Sequence, residues 1–210
     1  SDEWIFFSSK KMDLPSQGWK IHLTATLNEF DKLCNEVLIE LINLKVSFKI
    51  PSHASHFLKI QAGEYGDTQI GKIVTIYPCN TNYASYLLKI LNEKWQDSVA
   101  PRVPEEPSTR PNGPVSCRFG DFQGLYKLSS RGVPRRIVYL KDGTECWDDI
   151  SNTFLLIKEL DIQLYKPMGP ISNLLEIIEN NYAFLSRYNN ASSTVIEAID
   201  KKNLKRVVIK

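Results

Sequence analysis

The stretch WKIHLT, residues 19–24, decides the fold because apolar and polar residues alternate along it. Alternation with a period of two is typical of a β-strand that buries one face. The apolar face carries Trp19, Ile21 and Leu23. The opposite face carries Lys20 and His22, two residues apart, followed by Thr24. The pattern predicts a strand with a cationic polar face, which is either an anion site or ordinary solvated surface.

Outward from this strand, the sequence predicts two amphipathic helices. Thr26 and Glu29 have the spacing of a capping box, and the apolar residues behind them recur at helical spacing over 27–43. Asn80 is a favourable N-cap for a second helix over 83–95. Both helices are expected to bury one face against the sheet.

Further strands are predicted by alternation or by short apolar runs, and we expect them at 4–7, 45–50, 72–77 and 115–119. Asp142-Gly143 favours a hairpin over 133–146. We expect residues 53–70 to form a loop, and residues 98–114, with five prolines, to form another. The order of elements indicates an α+β fold, an open and mostly antiparallel sheet with helices packed on it.

Three regions are expected along the chain. Residues 1–150 form the α+β domain, 151–181 a linker, and 182–210 a small C-terminal β segment. Strands are predicted there at 182–188, 193–199 and 204–210.

Composition excludes several function classes for this chain. Its 210 residues carry 26 basic and 24 acidic side chains, a net charge of +2, so bulk charge gives no case for nucleic-acid or membrane binding. No apolar run is long enough to cross a bilayer, and the first residues do not resemble a signal peptide. The four dispersed cysteines predict reduced thiols, a cytoplasmic protein and no metal site. His53 and His56 are expected to be surface loop histidines.

Basic residues on the predicted strands suggest chemistry if they converge. A cluster of lysines and arginines without a carboxylate suits a phosphate dianion. A lysine crowded by cations has a lowered pKa and acts as a general base near neutral pH, while a nearby histidine supplies a proton. Base, acid and phosphate clamp together define a β-elimination of phosphate from phosphoserine or phosphothreonine.

Four stretches, in order, resemble the N-terminal lyase domain of class III and class IV lanthipeptide synthetases, and their motifs are similar to those of bacterial effector phosphothreonine lyases. They lie at 14–25, 47–49, 71–78 and 110–120. The resemblance covers most of residues 14–150. Thr24 and Cys117 depart from the residues common in that family, and neither is expected to touch the chemistry.

The resemblance implies a role for each matching residue. His22 is expected to be the general acid and Lys49 the general base. The expected phosphate-binding residues are Lys20, Lys72, Arg110 and Arg118. Tyr77 either lines the site or packs as a core strand aromatic.

The C-terminal segment resembles the start of a protein kinase lobe. Residues 207–210, VVIK, are similar to the kinase β3 motif, whose lysine, here Lys210, pairs with ATP phosphates. The expected glycine-rich loop has no glycine here, and neither H-R-D nor D-F-G is present, so this segment alone is not expected to phosphorylate anything. Taken by itself, VVIK is more typical of an ordinary buried strand, and its place after a lyase-like domain is what favours the kinase interpretation.

The sequence therefore predicts a phosphoserine/phosphothreonine lyase that forms dehydroalanine or dehydrobutyrine in a precursor peptide. The lyase step needs no cofactor, and ATP or GTP with Mg²⁺ is expected only for a full kinase domain. Expected partners are the phosphorylated precursor peptide with its leader and the kinase and cyclase domains of a parent enzyme, with no nucleic acid and no membrane. The alternative is a non-catalytic module that binds phosphopeptide or leader peptide.

Overall fold

The computed structural model describes residues 3–9, 14–167, 178, 180–189 and 194–209. Five of its strands are β1 (Trp4–Phe7), β2 (Gln17–Leu23), β3 (Ser47–Pro51), β4 (Val74–Tyr77) and β5 (Val115–Asp121). They form a central sheet in the order β1-β3-β4-β2-β5, and every neighbouring pair is antiparallel. The predicted α+β class with an open antiparallel sheet is confirmed.

Among the described residues, two short 3₁₀ turns, Asp67–Gln69 and Ile157–Glu159, and four longer helices accompany this sheet: α1 (27–43), α2 (Ala54–Ala62), α3 (Thr81–Trp95) and α4 (Ile150–Leu156). The first begins as a 3₁₀ turn behind the predicted capping box, passes through a π-helical segment, Leu33–Leu38, and ends as an α-helix at Asn43. Asn80 caps α3 by accepting a hydrogen bond from the backbone N–H of Tyr83. Both predicted helices are therefore present.

The core lies between the sheet and these helices. Trp19, Ile21 and Leu23 are buried, as their alternation predicts, and they pack with residues of α1 and α3. Trp95 at the end of α3 donates its indole N–H to the carbonyl of Thr24, at 2.8 Å. The opposite face of the sheet is left to the polar residues of the same strands.

The predicted loop over 53–70 is wrong in its first half, where α2 forms. His53 is the N-cap of this helix, and Gly63 ends it in the left-handed conformation, with φ of 75°. Because α2 packs against the N-terminal strand β1, His56 is buried. Its ring meets the Trp4 ring edge to face, with the ring centroids 4.6 Å apart. His56 is thus a core residue and not the surface histidine expected from the sequence.

A second antiparallel sheet follows the first, built from β6 (Tyr126–Leu128), β7 (Pro134–Tyr139) and β8 (Glu145–Trp147) in the order β6-β7-β8. The hairpin β7–β8 turns at Asp142-Gly143, as predicted. Within the predicted linker, α4 packs against β5, and Tyr165 pairs with Ser108.

The C-terminal strands are β9 (Tyr182–Asn189), β10 (Thr194–Asp200) and β11 (Arg206–Ile209). They form an antiparallel meander in the order β11-β10-β9, so the expected C-terminal β segment is confirmed. Lys210 lies outside the described residues.

Candidate functional site

One row of cross-strand partners brings the two expected catalytic residues to the same face of the central sheet. Lys49 of β3 lies opposite Thr75 of β4, and Thr75 lies opposite His22 of β2. The row continues to Phe6 at one end and to Ser116 at the other. Since neighbouring strands are about 4.8 Å apart, the backbones of Lys49 and His22 are separated by roughly 10 Å, and Thr75 lies between them.

A cavity of about 640 Å³ lies over four members of this row, Phe6, Lys49, Thr75 and His22. Seven residues of the α+β domain are expected in the site, and six of them line this cavity: Lys20, His22, Lys49, Lys72, Tyr77 and Arg118. The alternation of β2 places two of these residues there, and the neighbouring strands supply three more. Residues distant in the sequence therefore share one concave surface.

A buried carboxylate that sequence reasoning missed lies beneath the cavity. Glu106 Oε2 lies 2.7 Å from His22 Nδ1 and accepts a hydrogen bond from the Ser116 hydroxyl at 3.0 Å. Its Oε1 lies 2.7 Å from Lys72 Nζ. All four residues are buried. Burial alone raises the pKa of Glu106, but the charges and hydrogen bonds of His22 and Lys72 outweigh it and hold the pKa well below its usual range.

The protonation state of His22 follows from the same contacts. Burial lowers the pKa of His22 to about 4, with Lys72 acting in the same direction and Glu106 acting against it. Near neutral pH the ring is therefore neutral before a ligand binds. With Nδ1–H donated to the Glu106 carboxylate, Nε2 is the ring nitrogen left to face a ligand in the cavity.

The pKa of the Lys49 amine is lowered toward neutral pH, as a general base requires. Burial lowers its pKa to about 8, and the cations Lys72 and Arg136 add to the effect. The expected cause, crowding by cations, is thus present but second to desolvation. The Nζ atom lies 4.0 Å from the centre of the Trp4 ring, a cation–π contact that holds the side chain over the sheet.

Lys20 and Arg118 lie directly opposite each other on β2 and β5 and form the next pair of cations. Burial lowers the pKa of Lys20 to about 8, with Asp148 opposing the shift and Arg118 adding to it. The Arg118 guanidinium forms an ion pair with the buried Asp148 carboxylate. That carboxylate also accepts a hydrogen bond from the backbone N–H of Asp121, so the group that orients the Arg118 guanidinium is itself held in place.

Arg110 is not brought to this cavity. It lies in the proline-rich loop, and its guanidinium donates a hydrogen bond to the backbone carbonyl of Gln96. The same loop instead delivers Glu106, because its backbone pairs with β5 through Ser108 and Ser116. Nothing in the local pattern distinguishes Glu106 from its neighbour Glu105.

The structure also corrects the expected absence of carboxylates. Asp121 and Asp148 line the cavity together with Arg135 and Arg136 of β7. The two arginines were missed because the hairpin was predicted but its packing against the first sheet was not. The cavity is therefore a mixed site in which carboxylates orient cations, not a purely cationic one.

Comparison with known proteins identifies a family and a relative. Residues 1–158 match the family described as RamC, N-terminal domain. Over 145 residues, or 68% of this chain, the sequence is 30% identical to a protein of Streptomyces coelicolor (strain ATCC BAA-471 / A3(2) / M145) named "Probable SapB synthase". The chain spans only 15% of the length of that relative. These matches support the resemblance to the N-terminal region of a lanthipeptide synthetase.

Among the described residues, none of the helices is both long and apolar enough to span a bilayer. The family match covers all of β1–β8 and α1–α4. The chain therefore belongs to the family of the RamC N-terminal domain.

Proposed function

We propose that this domain eliminates phosphate from phosphoserine or phosphothreonine in a ribosomal precursor peptide during lanthipeptide biosynthesis, leaving dehydroalanine or dehydrobutyrine. The observation that supports the proposal most is the row Lys49–Thr75–His22, in which an amine and an imidazole lie on either side of one cavity position and so could serve as base and acid. Similarity to a synthase and membership of an N-terminal domain family support an enzymatic role in peptide maturation.

The reaction requires two proton transfers and one bond cleavage. Neutral Lys49 Nζ takes the Cα proton of the phosphorylated residue, and the electron pair of that bond forms the Cα=Cβ double bond. The Cβ–O bond breaks, and the departing phosphate oxygen takes a proton from His22 Nε2. Phosphate and an unsaturated residue are the products, and the step consumes no cofactor.

His22 must gain a proton before it acts as the acid. A phosphate dianion beside the ring favours its charged form and raises the pKa of His22 from its value of about 4 in the ligand-free site. Glu106 then stabilises the imidazolium through Nδ1, at 2.7 Å. Binding of the dianion thus prepares the acid that later protonates it.

The phosphate is held by the cations of the cavity. Lys20, Lys72 and Arg118 line it, and Arg118 is oriented by Asp148. Arg135 and Arg136 extend this positive surface toward the rim. Arg110 has no place in this proposal because its guanidinium is directed to the Gln96 carbonyl.

For the C-terminal segment we propose the opening strands of a kinase lobe, the source of the phosphorylated peptide. The support is the antiparallel meander of β9, β10 and β11 together with the sequence VVIK at residues 207–210. Kinase and cyclase domains of a parent enzyme are the partners that this proposal implies.

A phosphoserine peptide incubated with the protein tests the lyase proposal. We expect mass spectrometry to show loss of phosphoric acid from the peptide. Lys49→Ala and His22→Asn should lower the rate by about 10²–10⁴-fold, the usual contribution of a general acid or base, while anisotropy shows that the peptide still binds. Asparagine retains a donor for Glu106 near the Nδ1 position.

Matched controls are Lys59→Ala and His53→Ala, since both side chains are exposed on α2 or at its N-cap. Both controls should retain the wild-type rate. Binding by wild type without elimination would favour a non-catalytic phosphopeptide module, and absence of both binding and elimination would refute both functions.

A further inference from the structure

Three aromatic rings line the cavity beside its charged residues, and we call them the aromatic ledge: Phe6 of β1, Tyr77 at the end of β4 and Phe122 just after β5. The rings of Phe6 and Tyr77 are stacked, with centroids 6.1 Å apart and planes at 20°. Tyr77 meets Phe122 edge to face, with centroids 5.2 Å apart. The three rings therefore form one continuous apolar surface.

The backbone leaves room for this surface. A Cβ on Gly18 would lie 3.2 Å from the ring of Phe122, so the glycine allows the ring to lie close against β2. At the other end of the ledge, Phe6 is 63% exposed although it is a large apolar side chain. A contiguous apolar surface that lines a polar cavity is more informative than a single exposed ring, because it marks a place where a ligand is covered.

The ledge adjoins both ends of the proposed chemistry. Phe6 is the direct cross-strand partner of Lys49, so their Cβ atoms are about 5 Å apart. Phe122 lies under Lys20, whose Nζ is 5.7 Å from the ring centroid. Consecutive residues of a peptide have Cα atoms 3.8 Å apart. The ledge is therefore within reach of the residue next to the one whose Cα faces Lys49.

We propose that the aromatic ledge is a subsite for an apolar side chain adjacent to the phosphorylated residue of the peptide. Such a side chain removes its own surface and that of Phe6 from water. A glutamine or a charged residue at that position would lose hydrogen bonds to water, and the ring faces offer no equivalent hydrogen bonds in return. This inference rests on the proposed function and adds to it a preference for the flanking sequence of the peptide.

Two pairs of phosphoserine peptides test the ledge. In one pair the residue before phosphoserine is Leu or Gln, in the other the residue after it, and each peptide carries a fluorophore far from the phosphoserine. In at least one pair we expect kcat/KM for the Leu peptide to exceed that for the Gln peptide by about tenfold, mainly through KM, as a binding contact does. Kd values from anisotropy should show the same preference.

Variants of Phe6 assign the preference to the ledge. Phe6→Ala should abolish it, whereas Phe6→Leu should keep most of it. Leu155→Ala, on a side chain 67% exposed on α4, is the matched control and should keep it fully. Thermal melts establish that each variant is folded.

The outcomes separate the ledge from the lyase proposal. Equal kcat/KM and equal Kd within both pairs would overturn the proposed subsite. A Phe6→Ala protein whose Kd rises by the same factor for the Leu and the Gln peptide would overturn it as well, because the preference would then not depend on Phe6. A Leu preference in Kd without elimination from any peptide would support the ledge and refute the lyase activity.

Discussion

Replacing Glu106 by glutamine removes one charge from the buried group that joins His22 to Lys72. The side chain keeps its size and one carbonyl oxygen, so the hydrogen bond from His22 Nδ1 has an acceptor in the variant as well. What is lost is the compensation of the Lys72 ammonium, whose side chain is only 7% exposed. The change therefore tests whether this buried carboxylate stabilises the site electrostatically.

The expected loss of unfolding free energy follows from the geometry of the ion pair. Two unit charges 2.7 Å apart attract each other by about 6 kcal/mol at an effective dielectric constant of about 20, and desolvation of both groups offsets most of that. Removing one partner of a buried pair costs about 3–5 kcal/mol, because the other charge is left uncompensated. Since Lys72 also lines the open cavity, we expect the lower end, about 3 kcal/mol, or roughly 6–12 °C in Tm for a domain of this size.

Chemical denaturation and thermal melts at pH 7.5 measure this loss, and the phosphopeptide assay measures the rate of elimination. The rate should fall by about 10²–10⁴-fold, since the acid loses the carboxylate that stabilises its charged form. Glu105→Gln is the matched control, because Glu105 is the adjacent exposed carboxylate. It should change neither quantity measurably.

The pH dependence adds an independent readout. The pKa of Glu106 is lowered in the folded protein, so its contribution is complete above the ordinary glutamate value of 4.5 and is lost as pH falls below it. The difference in unfolding free energy between wild type and Glu106→Gln should therefore be constant above about pH 5 and narrow at lower pH. A Glu106→Gln protein as stable and as active as Glu105→Gln would refute the reasoning.

Two further predictions follow from the cavity. Acetylation of Lys49 by acetic anhydride, followed by peptide mapping, should rise with pH around a midpoint near 8, and Arg136→Gln should move that midpoint to higher pH, because removing a nearby cation raises the pKa of a lysine. Gly120→Ala should lower the Tm by several degrees, because a Cβ there would lie 2.9 Å from Asp148 Oδ1 and the required shift costs about 1–3 kcal/mol.

Each of these predictions has a clear contrary result. For the lysine, Arg131→Gln is the control, since Arg131 is exposed in the turn before β7, and it should leave the midpoint in place. A Lys49 midpoint close to the ordinary lysine value of about 10.4 would contradict the buried, cation-flanked position. For the glycine, an unchanged Tm would show that Asp148 moves aside without cost.

Much of the fold could be predicted because its signals are local. The alternation over 19–24 assigned the buried and polar faces of β2, and the capping box assigned the start of α1. The helix α2 was missed because its nine residues carry a weak apolar stripe between a proline and two glycines, a composition typical of a loop.

The candidate site was predictable only in part, for a related reason. Residues on the polar faces of β2–β5 follow from strand periodicity and from family resemblance, and the structure places Lys20, His22, Lys49 and Arg118 in one cavity. Their catalytic and binding roles stay predictions. Arg110 was misplaced because a loop gives no periodicity from which to read the direction of a side chain.

By itself, the sequence determined which side chains share the polar face of β2 and which face the apolar core on its other side. The tertiary structure alone decided that Glu106 pairs with His22, 84 residues away, and that Arg135 and Arg136 reach the same cavity. Alternation reports the direction of a side chain relative to its own strand. The partner that it meets depends on how distant segments pack, and no local pattern carries that information.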